Sequence, residues 1–177
     1  FCNNNIRLDK DPFNIDGKSE IVNILIDIGD ICYKLNKIDL AVKILSKFLP
    51  LLDSNNFLYN KLLNRIEFLN KEKVLKSMPL RLSLTLTRKC NLKCIMCYDK
   101  YRPDWSISKY ILDEIKEFLP FLEYIQWRGG EVFLYPEFEY FFDLASSYPN
   151  IRQDIVTNGL LIDEKWAEKL MRSNTKV

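Results

Sequence analysis

Apolar residues in the first part of the chain recur at helical spacing. Ile21, Ile24, Leu25, Ile28, Cys32 and Leu35 predict a helix from about residue 19. Asn36-Lys37 reads as a turn. Ala41, Ile44, Leu45 and Phe48 then share one face of a second helix over about 38–52, which Pro50 ends or kinks. Asp53-Ser54-Asn55-Asn56 is a loop and cap signal, and Leu58, Leu62, Ile66 and Leu69 carry a third helix over about 57–76. Residues 1–18, broken by Asn, Asp, Pro12 and Gly17, read as an irregular lead-in.

At Pro79 the period changes. Residues 80–87 alternate strictly and predict a strand. Ser106 or Ser108 caps a helix carrying Ile111, Leu112, Ile115 and Leu119, and residues 123–127 form a second strand. A helix over about 137–147 and a third strand over 151–156 come next. Asp163 caps a last helix to about residue 172. Strand–helix repeated three times implies right-handed crossovers and a parallel α/β sheet. The expected division is 1–18 lead-in, 19–78 helical segment and 79–177 α/β core.

Composition narrows the chemistry. With 26 basic and 24 acidic residues the net charge is +2, and no Lys/Arg block stands out, so nothing favours nucleic acid or an anionic membrane as a partner. No apolar run is long enough to span a bilayer, and Phe1-Cys2-Asn3-Asn4-Asn5 lacks secretory-signal character. The chain has no histidine, which removes His-based nucleophile systems, His-ligated zinc and His acid–base catalysis. Three of the five cysteines fall within eight residues. That clustering, with an odd count, argues against a disulfide framework and for thiolates held for a metal in a reducing, cytoplasmic setting.

Those three, Cys90, Cys94 and Cys97, have the spacing C-x3-C-x2-C directly after the first predicted strand. Thiolates suit iron–sulfur clusters or zinc. A fully protein-held cubane and a closed zinc site both want four ligands. Cys32 lies on an apolar helix face and Cys2 near the chain start, so the simplest accounting leaves one iron open to an outside ligand. Gly129-Gly130-Glu131 ends the second strand: two glycines allow close backbone approach, and a carboxylate can meet an ammonium group. Thr157-Asn158-Gly159 ends the third. Read alone, each of these two is an ordinary turn. All three motifs lie at strand carboxyl ends, where parallel sheets gather ligands.

In this order and placement the motifs resemble the radical S-adenosylmethionine (radical SAM) family. Cys90-Asn91-Leu92-Lys93-Cys94-Ile95-Met96-Cys97 is similar to the loop of its peptide modifiers, with Met96 where many members carry an aromatic residue. The resemblance implies a partial (β/α) barrel and a [4Fe–4S] cluster on Cys90, Cys94 and Cys97 whose open iron chelates S-adenosylmethionine. It further implies Met96 beside the adenine, Gly129, Gly130 and Glu131 at the methionyl amino group, and Asn158 in the active-site wall. One-electron cleavage to a 5′-deoxyadenosyl radical would then act on a peptide, protein or small-molecule substrate, with a flavodoxin or ferredoxin as electron donor. The family core has six strand–helix units, of which three are legible here, so the chain reads as a fragment inactive alone. The first two helices resemble one tetratricopeptide unit, with Gly29 and Ala41 at its small-residue positions. The competing reading is a non-catalytic metal-binding or interaction module with a cysteine-stapled loop.

Overall fold

The computed structural model describes residues 15–99 and 101–177. It forms two compact units dividing between Ser77 and Met78. The lead-in expected up to residue 18 lies outside the described residues as far as residue 14, and Cys2 with it. From Ile15 the chain is already helical. One glycine in a first turn costs about 1 kcal/mol relative to alanine, too little for Gly17 to delay the helix.

The helical unit contains α1 (Ile15–Lys34), α2 (Ile38–Phe48), a single 3-10 turn at Leu49–Leu51, and α3 (Phe57–Leu69). α1 stops because Asn36 takes a left-handed φ of 58° and the Lys37 amide reaches back to the Cys32 carbonyl at 2.8 Å. Pro50 at the head of the 3-10 turn ends α2 short of the expected residue 52. α3 ends seven residues before the expected 76. Lys71 adopts φ 57°, and the amides of Lys71 and Glu72 bond the carbonyls of Phe68 and Glu67. This C-cap, carried by lysine rather than glycine, leaves no sequence signal. Val22, Leu25, Ala41, Leu45, Leu58 and Leu62 are central to the unit's core. A Cβ on Gly29 would lie 3.3 Å from Leu45 Cδ1, so α1 approaches α2 closely there.

The α/β unit runs β1 (Arg81–Thr85), α4 (Lys109–Ile115), β2 (Tyr124–Arg128), α5 (Phe138–Ser146), β3 (Arg152–Ile155), α6 (Glu164–Arg172) and β4 (Thr175–Lys176). All four strands are parallel and stand in sequence order. The expected α/β class with a parallel sheet and preceding helices is what the chain forms, with a short fourth strand added. Ser108 and Asp163 cap α4 and α6, accepting from the amides of Ile111 (3.4 Å) and Trp166 (2.8 Å).

The two sheet faces differ. Leu84, Ile125, Trp127 and Ile155 turn toward Phe138 and Phe142 of α5 to form the core. Within it the Trp127 indole donates to Gln153 Oε1 at 2.7 Å, and Gln153 Nε2 donates to Ser146 Oγ at 2.7 Å, so the buried amide is satisfied. The alternate residues carry polar side chains on the opposite face: Ser83 Oγ donates to Gln126 Oε1 (3.1 Å), and Tyr124 Oη to Asp154 Oδ2 (3.0 Å). Parallel pairing places Thr85, Arg128 and Ile155 together at the carboxyl ends of the strands, just before the three sequence motifs.

Candidate metal and cofactor site

The chain leaves β1 into the cysteine loop and returns to it. Thr87 pairs with Ser106 in an isolated antiparallel bridge. Arg88 N donates to Trp105 O at 2.7 Å, and Ile107 N to Leu86 O at 2.8 Å. Thr87 is fully buried; its hydroxyl lies 2.8 Å from Ser106 Oγ and accepts the Lys89 amide at 3.1 Å. Residues 88–105 are therefore an excursion closed at its neck.

The two glycines after β2 press against this neck. Gly130 N donates to Thr87 O (2.7 Å) and Glu131 N to Lys89 O (2.8 Å). A Cβ on Gly129 would sit 2.4 Å from Thr87 O, and one on Gly130 would sit 2.4 Å from Lys89 O and 2.5 Å from Arg88 O. Gly129 also has φ 156°. The sequence pointed to a close backbone approach here. In the fold, what approaches is the stem of the chain's own cysteine loop.

Glu131 is fully buried. Its carboxylate accepts from Thr157 Oγ1 (2.8 and 2.9 Å to its two oxygens), Asn158 N (3.0 Å) and Phe133 N (3.3 Å). The resemblance sets Glu131 at a methionyl amino group; in the fold its carboxylate also ties β2 to the turn after β3. Asn158 is exposed, and its Nδ2 donates to Asn91 Oδ1 of the cysteine loop at 2.8 Å. Thr157 and Asn91 are the two site residues that the sequence motifs contained but to which no role was given. Their signal lay in contacts across 26 and 67 residues of chain, which no spacing rule exposes.

Cys90, Cys94 and Cys97 are free and exposed, whereas Cys32 is buried in the helical unit. The Leu92 amide lies 3.4 Å from Cys90 Sγ. Met96 is 83% exposed. A cleft of about 360 Å³ is lined by Cys90, Cys97 and Gly130 together with Arg88, Lys93 and Arg102. Asp99 ion-pairs with Arg88 (3.8 Å) and Arg102 (3.7 Å), and the Arg102 guanidinium lies over the Tyr98 ring. Trp105 sits under the Arg88 guanidinium, 5.8 Å from it. Arg128, exposed beside the glycines, has no carboxylate partner among the described residues.

No three His, Cys, Asp or Glu side chains converge on one point for a single metal ion among the described residues. A cubane asks for something different, because each thiolate binds its own iron and the ligands stand further apart. Three free, exposed thiols on one fastened loop, beside cations that offset thiolate charge, fit that donor set.

Residues 84–177 match the family described as Radical SAM superfamily. The S-adenosylmethionine-dependent nucleotide dehydratase RSAD2 of Siniperca chuatsi is 34% identical over 113 residues, which is 57% of this chain and 30% of that protein. The uncharacterized protein MJ0907 of Methanocaldococcus jannaschii is 35% identical over 104 residues, 54% of this chain and 36% of its own length. The chain thus spans about a third of the curated relatives it matches. Among solved structures, Streptococcus suis SuiB bound to S-adenosylmethionine aligns with TM-score 0.47 and 24% identity, covering 77% of this chain and 35% of that one. SuiB bound to the precursor peptide SuiA aligns with TM-score 0.47 and 22% identity, covering 90% and 40%.

Proposed function

This chain belongs to the radical SAM superfamily, and from that premise we propose that its cysteine loop holds a [4Fe–4S] cluster through Cys90, Cys94 and Cys97 and presents an open iron to S-adenosylmethionine. The observation that carries this reading is the cleft where two of the three thiols meet Gly130 and the cations Arg88, Lys93 and Arg102. The chemistry such a bound pair supplies is one-electron cleavage of the sulfonium to a 5′-deoxyadenosyl radical. The chain's own residues bind and orient. The neck at Thr87–Ser106 and the two glycines fix the loop on the strand ends. Backbone from Gly129 to Glu131, with Met96 and Asn158, borders S-adenosylmethionine, and Arg88, Lys93 and Arg102 balance the negative charge of the thiolates.

We assign the substrate to the peptide or protein class on the Cys-Asn-Leu-x-Cys-x-Met-Cys character of the loop, with a flavodoxin or ferredoxin as electron donor. The helical unit, 19–78 in the proposed division, is the candidate for substrate recruitment. An apolar cleft of about 210 Å³ opens in it between Ile21, Val22, Leu25, Phe48 and Leu51. A nucleotide is the second substrate reading, favoured by the activity named for the Siniperca relative.

Anaerobic reconstitution with iron and sulfide tests the core of the proposal. The expected product carries about four irons per chain, absorbs broadly in the visible, and changes its electron paramagnetic resonance on adding S-adenosylmethionine. Serine at any one of Cys90, Cys94 or Cys97 abolishes it. Stoichiometric zinc with no response to S-adenosylmethionine would instead establish the stapled, non-catalytic module.

A further inference from the structure

Gly-Gly-Glu and Thr-Asn-Gly stand apart in sequence as two separate ligand-facing turns. In the fold they form one hydrogen-bonded unit that ends on the cysteine loop. A fully buried carboxylate must have its charge met by donors. Among the described residues no Lys or Arg side chain supplies one to Glu131; the Thr157 hydroxyl and the amides of Asn158 and Phe133 do. That fixes the backbone at Asn158. Its side-chain oxygen accepts the Leu160 amide at 3.0 Å, so the amide group's orientation is determined and Nδ2 must point away, toward Asn91 Oδ1 at 2.8 Å. The same Nδ2 lies 4.0 Å from Cys90 Sγ. Among the described residues, no comparable tie runs from β2 or β3 to the side chains of Cys94 or Cys97.

We propose that Glu131, Thr157, Asn158 and Asn91 form a brace that sets Cys90 for metal binding, with Thr157 and Asn91 as positioning residues and Glu131 as the buried anchor. The inference rests on the cluster reading above. The brace is separable from the fold of the loop, because the stem is already held by the bonds from Gly130 and Glu131 to Thr87 and Lys89 and by the Thr87–Ser106 neck. What the brace adds is order at the first ligand. A thiol held near its binding position loses less freedom when iron arrives, and partners of metal ligands typically contribute 10–100-fold to metal retention.

The test compares the full chain with Thr157→Val, which keeps shape but loses the hydroxyl, Thr157→Ser, which restores it, and Asn91→Ala, which alters an exposed loop side chain. Each is reconstituted anaerobically and challenged with an iron chelator. Thr157→Val and Asn91→Ala should release iron about tenfold faster than the parent, with Thr157→Ser close to the parent. Thermal melting of the iron-free proteins should be little changed for Asn91→Ala. In the iron-free chain, mass-spectrometric alkylation should show Cys90 labelled several-fold faster in Asn91→Ala, with Cys94 and Cys97 unaffected. Equal iron release, or unchanged Cys90 labelling, overturns the brace and leaves the cluster standing. Failure of the parent chain to assemble any iron–sulfur species overturns the cluster reading and the brace together. Should Thr157→Val fail to fold, Asn91→Ala decides alone.

Discussion

A methyl group at position 130 would collide with the carbonyl oxygens of Arg88 and Lys89. Both obstacles are backbone, so the strand end or the loop stem must move. Gly130→Ala is expected to destabilise the α/β unit by about 1–3 kcal/mol, seen in urea denaturation. It should also reduce cluster content after reconstitution; a variant that loads iron like the parent would show that the stem does not need this contact. The site was only partly legible at this scale. The thiol spacing stood in the sequence because three cysteines on one loop are close in chain. The tight approach at Gly129 and Gly130 was legible too, but not its partner. The bonds from Thr157 and Asn158 to Glu131 were hidden, since an acidic residue in a turn carries no mark of partners so distant in chain.

At the scale of elements, three helix starts were written plainly: Asn56, Ser108 and Asp163 each accept an amide at a helix N-terminus. The ends were not, because Lys71 closes α3 in a conformation that lysine does not advertise. The segment leaving α3 is held by Glu67, whose carboxylate accepts from Lys76 N (2.7 Å), Ser77 N (3.2 Å) and Ser77 Oγ (2.6 Å). Burial alone would raise this carboxyl, yet the bonds from Ser77 and Lys76 outweigh it and hold it below its ordinary value. A lowered folded-state value means that the anchor contributes fully above the ordinary 4.5 and is lost as pH falls through the depressed value. Hydrogen exchange at the Lys76 and Ser77 amides should therefore rise, relative to the intrinsic rate, on acidification below that point. Glu67→Ala should raise it at neutral pH and cost about 2 kcal/mol.

α5 and α6 are joined in the same manner. Lys165 and Lys169 both lie 2.7 Å from Glu139 Oε1 and pull its carboxyl from 4.5 to about 2. This contribution is present above 4.5 and fades toward pH 2. Glu139→Gln should flatten the acid limb of the stability curve in that window, measured as a difference from the parent. An unchanged limb would mean that solvent screens the clamp completely.

Across the whole molecule, each unit has its own apolar core. A helical stripe and an alternating strand cannot share one packing pattern, which gives each unit its own apolar face to bury. The chain's three tryptophans, Trp105, Trp127 and Trp166, all lie in the α/β unit, so indole fluorescence follows that unit alone. Leu62, fully buried in the helical core, gives a matching probe. Leu62→Ala should cost the helical unit about 2–5 kcal/mol and shift the circular-dichroism transition more than the fluorescence transition. Identical shifts would show that the two units unfold as one.

The closed neck at Thr87–Ser106 carries a last consequence. The polypeptide enters and leaves the cysteine loop at facing points of a single pairing, so the intervening length has little bearing on how β1 and α4 are spaced. The loop between Lys89 and Trp105 is an interchangeable cassette on the fixed socket that these two residues close. Grafting a longer or shorter loop there, or replacing it with a plain turn, should leave the sheet assembled, so that the loop can be exchanged while the scaffold is retained.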